Sequence, residues 1–268
     1  MEHSEPPEVS IVVCSIDAAK FARVSANYRS LFADRSIEIV GIHDARSLAE
    51  GYARGIARSR GARLILSHDD IEIVSADFAG RLDRHLAAFD LVGVAGTTRL
   101  VGGKWAAAGD PYVFALVTSP DPEAGGFVTM MLGGGPLVVS GIQAIDGVLM
   151  AMRREVATAV PFDAQTFDGF HLYDLDFSFR AHRAGFTLAV CRDIVLIHES
   201  TGTYDAAWEQ YKGRFETKHR NALASVANPK TGARAAFKAA SREEVVRRTE
   251  LSRLTDVAGR IGRANASL

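Results

Sequence analysis

Cysteine is nearly absent. Only Cys14 and Cys191 occur in 268 residues, and both sit inside apolar, strand-like runs where an unpaired thiol behaves as a small hydrophobe. Neither a disulfide framework nor a thiolate metal site is expected. An excess of one charge is missing too. The 31 basic and 32 acidic residues leave a formal charge of -1, so no overall field favours nucleic acid or an anionic membrane, and any anionic ligand must be held locally. No apolar run approaches the roughly 20 residues that cross a bilayer. The segment Met1 to Glu8 is polar and acidic with two prolines, which matches neither a secretory signal nor a transit peptide. A cytoplasmic protein is expected, with peripheral attachment at the inner face of the membrane as the alternative.

What is present is a hydrophobic content of 47%, ample for a packed core, arranged in alternating strand and helix patterns. The run Val9-Ser10-Ile11-Val12-Val13-Cys14 is nearly continuous and β-branched, as in a strand buried on both faces of a parallel sheet. A helix from about Ala18 to Phe32 and a second strand, Ile37 to Ile42, complete a β-α-β start. An alanine-rich helix follows Ser47, and Gly61 lies where its cap would. The strand Arg63 to Leu66 then delivers His68, Asp69 and Asp70 to its C-terminal end, where ligands bind in open α/β sheets. A helix over about 75–88 and a strand over 91–96 continue the alternation.

From Gly102 the character changes. Paired and tripled glycines separate short β-prone pieces, Tyr112 to Val117 and Leu137 to Val139 among them, which predicts hairpins and loops. A returning strand over 147–152, a helix from Asp174 to Ala184, and strands over 187–190 and 195–198 close the core. Near the C-terminus Ser241 and Glu244 form a capping box, and Leu251, Leu254, Ala258 and Ile261 recur at helical spacing. That stripe could dock on its own chain, pair with a second copy in a homo-oligomer, or touch a membrane; self-docking is the ordinary outcome. The division expected is a domain over 1–225 and a helical extension over 226–268.

Three acidic or imidazole sites stand at element ends. His68-Asp69-Asp70 concentrates carboxylates where a divalent cation would be the natural counterion, although capping or solvation explains an isolated pair as well. Tyr173-Asp174-Leu175-Asp176 opens a helix, where carboxylates are favoured by the helix dipole alone. His198 ends the strand Val195-Leu196-Ile197. Together they would suit an oxygen-rich metal site completed by one nitrogen, with a separate base.

The pieces in this order resemble the inverting glycosyltransferases of family 2. The match rests on Asp174-Leu175-Asp176-Phe177-Ser178-Phe179-Arg180-Ala181-His182-Arg183-Ala184-Gly185-Phe186, with Pro161-Phe162-Asp163, Asp146-Gly147 and Arg153-Arg154 upstream, and spans roughly residues 9–200. The resemblance implies a GT-A fold, α/β with a mostly parallel central sheet flanked by helices, here with the C-terminal helical extension. It implies a nucleotide-sugar donor, a divalent Mn2+ or Mg2+ ion, and a glycan, lipid-linked or protein acceptor. Carried onto this chain, the metal motif makes Asp70 the favoured ligand and Asp69 the second choice, with His198 completing the coordination, and Asp174 falls at the catalytic base. Ser15, Asp17 and Asp44 are candidates for the nucleoside pocket, where turn and cap roles would serve equally, and Asp69 and Asp146 join them as contacts to the nucleotide sugar.

Departures are also evident. His68 replaces the motif's first aspartate, Tyr173 stands where most members carry glutamate, Ala53 where many carry asparagine, and His43-Asp44 replaces the usual acidic pair. The expected chemistry is a single displacement in which Asp174 takes the acceptor's proton. Lys212, Arg214, Lys218 and Arg220 could reach phosphates or stay solvated, and Trp105 could stack on a sugar or simply pack. A nucleotidyltransferase, or a noncatalytic nucleotide-sugar-binding protein, would use a similar sheet.

Overall fold

The computed structural model describes residues 5–200, 202, 204–226 and 229–267. The regular opening is β1 (Val9–Cys14), α1 (Ala18–Leu31), β2 (Ile37–Ile42), α2 (Leu48–Arg58) and β3 (Arg63–Ser67), followed by β4 (Ile71–Ile73) and α3 (Phe78–Ala88). Asp17 starts α1 by accepting the Ala19 and Lys20 amides at 2.8 and 3.0 Å, and Ser47 starts α2 by accepting the Glu50 amide at 3.1 Å. Then come β5 (Leu91–Gly93), β6 (Ala95–Thr97), β7 (Val113–Pro120), β8 (Phe127–Leu132), β9 (Val138–Ser140), β10 (Ala144–Ile145) and β11 (Leu149–Arg153). The chain closes with α4 (Arg154–Ala159), α5 (Tyr173–Arg183), β12 (Leu188–Cys191), β13 (Leu196–His198), α6 (Ala206–His219), β14 (Arg234–Ala239), α7 (Arg242–Arg248) and α8 (Leu251–Ala266).

Two sheets result. The larger runs β2-β1-β3-β11-β5-β12-β9. The pairings put β2, β1, β3, β5 and β12 in one direction and reverse β11 and β9, so the central sheet is mostly parallel, as expected. Alternate residues of β1 enter opposite cores. Val12 packs with Leu64, Leu66, Tyr52 and Phe177 on one face, whereas Ile11 and Val13 pack with Val24, Tyr28 and Phe78 on the other. Burial on both faces is why this run carries almost no polar residue.

The smaller sheet runs β10-β6-β7-β13-β4, with β8 on β7 and β14 on β8. It corrects one reading, because the single strand expected over 91–96 is two. The chain leaves the large sheet after Gly93 and enters the small one at Ala95, and Val94 between them is fully buried. The continuous apolar run is thus a crossing between sheets. The helix expected from Ser75 begins at Phe78.

The C-terminal residues also hold more than helix. β14 lies antiparallel to β8 along six paired positions from Arg234 opposite Leu132 to Ala239 opposite Phe127. Leu254, Val257, Ala258 and Ile261 of α8 share a third core with Leu116, Met131 and Val195. Apart from Leu251, which is 44% exposed, the apolar stripe is therefore covered by its own chain.

Candidate functional site

Backbone pairing brings the first and third motifs together. β13 runs antiparallel to β4 with His198 opposite Ile71, and the Glu199 amide donates to the Asp70 carbonyl at 2.9 Å. His198 Nε2 consequently lies 3.3 Å from Asp70 Oδ1. His68 Nδ1 is 3.4 Å from His198 Nε2 and 3.9 Å from Asp70 Oδ1. One ligand atom from each of these three residues lies within 4.8 Å of the other two, a grouping able to hold a metal ion. Ser200 Oγ is 3.0 Å from His198 Nε2.

The electrostatics suit that purpose. Burial works against ionisation of Asp70, but hydrogen bonding and charge from His198, helped by Ser200 and His68, hold its carboxyl well below the usual range. Burial and the neighbouring His198 lower the pKa of His68, which favours the neutral imidazole a metal needs. Asp69 stands apart from the group: its Oδ2 accepts the Ser15 hydroxyl at 2.6 Å. Just beyond β3, His68 and Asp70 turn one way and Asp69 turns the other.

The second motif opens on the same cavity, of about 370 Å³, lined by His68, His198, Asp146, Asp174 and a set of aromatic side chains. Leu172 precedes α5 in a left-handed conformation with φ 62°, uncommon for a leucine, and the turn presents Tyr173 and Asp174 to the cavity. Asp174 Oδ2 accepts the Gly147 amide at 2.7 Å. Glycine is required there by the close approach. A Cβ on residue 147 would strike the Tyr173 hydroxyl and lie 2.8 Å from Asp174 Cβ. Burial, and then the neighbouring Asp146 carboxylate, push the Asp174 carboxyl up to about 7. Asp146 is itself held by the Trp105 indole at 2.8 Å and the Val148 amide at 3.0 Å.

Asp176, only two residues beyond Asp174, has a different environment. It is fully buried and takes Arg180 Nε at 2.8 Å, His219 Nε2 at 2.8 Å and Lys218 Nζ at 2.6 Å. This knot ties α5 to α6.

The three nucleoside candidates do not line the cavity. Ser15 is buried against Asp69, Asp17 caps α1, and Asp44 pairs with Arg54 at 2.9 Å. On α6, Lys212 pairs with Glu209 and Arg214 with Asp168, while Lys218 bridges Asp163 and Asp176. Trp105 lines the cavity while its indole is anchored on Asp146. Sequence reasoning marked Tyr173 only as a departure, without its hydroxyl's place 3.1 Å from His68 Nε2, and missed Ser200, Phe170, Tyr204 and Trp208 as residues that line the cavity. No local pattern points to them.

The sequence model of the glycosyltransferase-like family matches residues 10–220. The chain belongs to that family. This glycosyltransferase matches no curated protein sequence. Among solved structures it is similar to the mannosyltransferase PcManGT from Pyrobaculum calidifontis in complex with GDP-Man and Mn2+. The TM-score is 0.50 at 13% identity, covering 98% of this chain and 76% of the other. GalNAc-T7 with UDP, GalNAc and Mn2+ gives a TM-score of 0.42 at 10% identity, covering 74% of this glycosyltransferase and 44% of that chain. At such identities the likeness is one of fold. Among the described residues no helix is long and apolar enough to cross a membrane.

Proposed function

We propose that this glycosyltransferase moves a sugar from a nucleotide-sugar donor to an acceptor hydroxyl with inversion, using Asp174 as base and Asp70 and His198 to hold a divalent ion. The observation that carries the reading is that His68 and His198, the histidines beside an Asp70 carboxylate kept ionised, line the same cavity as a second carboxyl, Asp174, raised to about 7. A pKa near neutrality leaves a substantial ionised fraction of Asp174 at neutral pH while making that carboxylate basic enough to accept a proton. The metal is supported by the His198 imidazole and the Asp70 carboxylate, whose ligand atoms lie 3.3 Å apart, and by a fold neighbour solved with GDP-Man and Mn2+.

In the proposed step, the acceptor oxygen attacks the anomeric carbon as its proton passes to Asp174 Oδ, and the bond from that carbon to the diphosphate oxygen breaks. A bound divalent cation would supply positive charge opposite the departing nucleoside diphosphate. Asp146 keeps Asp174 basic by like-charge repulsion and fixes the Trp105 indole at the cavity wall. The Gly147 amide orients Asp174. Asp69 and Ser15, joined at the end of β1, and Asp44 beyond β2 are assigned to the nucleoside side. We treat residues 226–268 as an extension of a 1–225 catalytic unit.

The test is release of nucleoside diphosphate from a panel of nucleotide sugars, with and without Mn2+, followed by determination of the product anomer. Metal-dependent release with inverted configuration is expected. A product retaining the donor's anomeric configuration would overturn the single-displacement step, and release unaffected by chelation would remove the metal from it.

A further inference from the structure

Two of the family-pattern departures meet in space. His68, at the position of the motif's first aspartate, and Tyr173, at the position of a common glutamate, are 105 residues apart in sequence, yet His68 Nε2 lies 3.1 Å from the Tyr173 hydroxyl. The other ring nitrogen, Nδ1, faces the Asp70 and His198 ligand atoms at 3.9 and 3.4 Å. An imidazole with one nitrogen engaged by a hydrogen-bond partner and the other aimed at a cluster of donors has the arrangement of an oriented metal ligand. Tyr173 is fully packed, 4% exposed, between Tyr52 and Phe162. Its hydroxyl is thereby fixed in position, and only the bare Gly147 leaves room for it.

We propose that His68 is the third protein ligand of the divalent ion, through Nδ1, and that Tyr173 is its positioning residue, accepting the Nε2 proton so that the Nδ1 lone pair is free. Asp69 lies outside the group of mutually close ligand atoms, and its Oδ2 accepts the Ser15 hydroxyl. The inference rests on the metal-dependent reading above and adds a consequence to it. The protein supplies two nitrogens and one carboxylate oxygen, whereas Mg2+ favours oxygen donors in near-ideal octahedral geometry and imidazole suits the later first-row ions. The site therefore discriminates against Mg2+ in favour of Mn2+ and its later neighbours. The two departures are a matched pair: a histidine in place of an aspartate needs its tautomer set, and a tyrosine hydroxyl can accept the N–H that sets it.

The decisive measurement needs no variant. Electron spin echo modulation of Mn2+ bound to the intact chain, in the presence of UDP or GDP, should show coupling to two imidazole nitrogens. His68→Ala should leave one and weaken Mn2+ about 10-fold or more, and Tyr173→Phe should keep two while weakening Mn2+ about 10-fold. His68→Asp should narrow the Mn2+ to Mg2+ affinity ratio measured by titration calorimetry. A single nitrogen in the unmodified chain, or an unchanged Mn2+ affinity in a folded His68→Ala, overturns the inference while leaving a metal on Asp70 and His198 intact. Failure of the unmodified chain to bind Mn2+ with either nucleotide overturns the underlying reading and this inference together.

Discussion

Asp70 and Asp174 line up as opposites within one site. Both are carboxyls at the edge of a packed core, and burial works against the charge on each. Asp70 has histidines and a hydroxyl beside it and stays ionised; Asp174 has a second carboxylate, Asp146, and is raised to about 7. The difference lies in the neighbours. One environment makes a permanent anion fit to hold a cation, and the other makes an acid and base poised near neutral pH. Asp176 extends the contrast, because Arg180, Lys218 and His219 all bond to it and commit it to structure.

The harshest way to break this contrast is to remove the base. Asp174→Asn should lower kcat about 10²- to 10⁴-fold with donor KM little changed, as read from initial rates with a verified donor and acceptor. Stability should move the other way. A folded pKa raised above the unfolded value contributes stability fully present below the unfolded pKa, about 3.9 for a free aspartate, and lost as pH rises through about 7. Asparagine escapes that loss, so at pH 8 the variant should melt higher than the parent, and at pH 4 the gap should close. A variant that is inactive and also less stable at pH 8 would show that Asp174 is held in place by interactions its burial does not reveal.

Asp176→Ala should reverse the pattern, costing stability first. Taking the carboxylate from this buried cluster strips a partner from His219, Arg180 and Lys218, of which Lys218 keeps Asp163 and Arg180 keeps the Pro161 carbonyl, a change of about 3 kcal/mol at most. Arg180 and Lys218 reach solvent, which reduces it. Urea denaturation measures the loss. Because this knot joins α5 to α6, donor KM should rise as well, while the pH dependence of the rate stays where it was. A shifted pH profile would mean that Asp176 belongs to the titrating pair after all.

How much of this contrast the sequence could show depended on range. The strands β1 and β3 were legible because burial on both faces leaves continuous apolar runs, and their ends pointed to His68-Asp69-Asp70. The strand pair β5 and β6 was not, since Leu91 to Ala95 are buried throughout and a chain passing between two sheets has the same composition as one remaining in a sheet. β14 was missed for the opposite reason: Arg234 to Ala239 form a strand at the end of the small sheet, exposed at alternate positions and rich in alanine. In the site, Asp70, His198 and Asp174 were named from motifs, but which acid would be raised and which lowered was set by contacts across long separations. Ser200 beside His198 and Tyr173 against His68 have no signature of their own. The same holds for Asp69, whose turn toward Ser15 depends on the chain's direction just past β3.

A subtler intervention sharpens the contrast without destroying either side. Asp146→Asn removes the like charge facing Asp174 while retaining one of the two oxygens, enough for either the Trp105 indole at Oδ2 or the Val148 amide at Oδ1. The Asp174 pKa should fall, so the acid limb of kcat/KM against pH should move to lower pH, with activity retained at its plateau. An unmoved limb would mean that burial alone sets the Asp174 pKa, and Asp146 would then lose its role as tuner.

The smallest expected effect concerns Asp44, far from both carboxylates on the proposed nucleoside side. Its side chain is 76% exposed and pairs with Arg54, and exposed ion pairs contribute little to stability because water and salt screen them. Asp44→Ala should therefore leave the melting temperature essentially unchanged and leave the pH profile untouched. If Asp44 also contacts the nucleoside, donor KM should rise severalfold at constant kcat, the signature of a contact made equally in the ground and transition states. An unchanged KM would assign Asp44 to its ion pair alone. The nucleoside side would then rest on Ser15 and Asp69, whose mutual hydrogen bond at the end of β1 makes them the more sheltered pair.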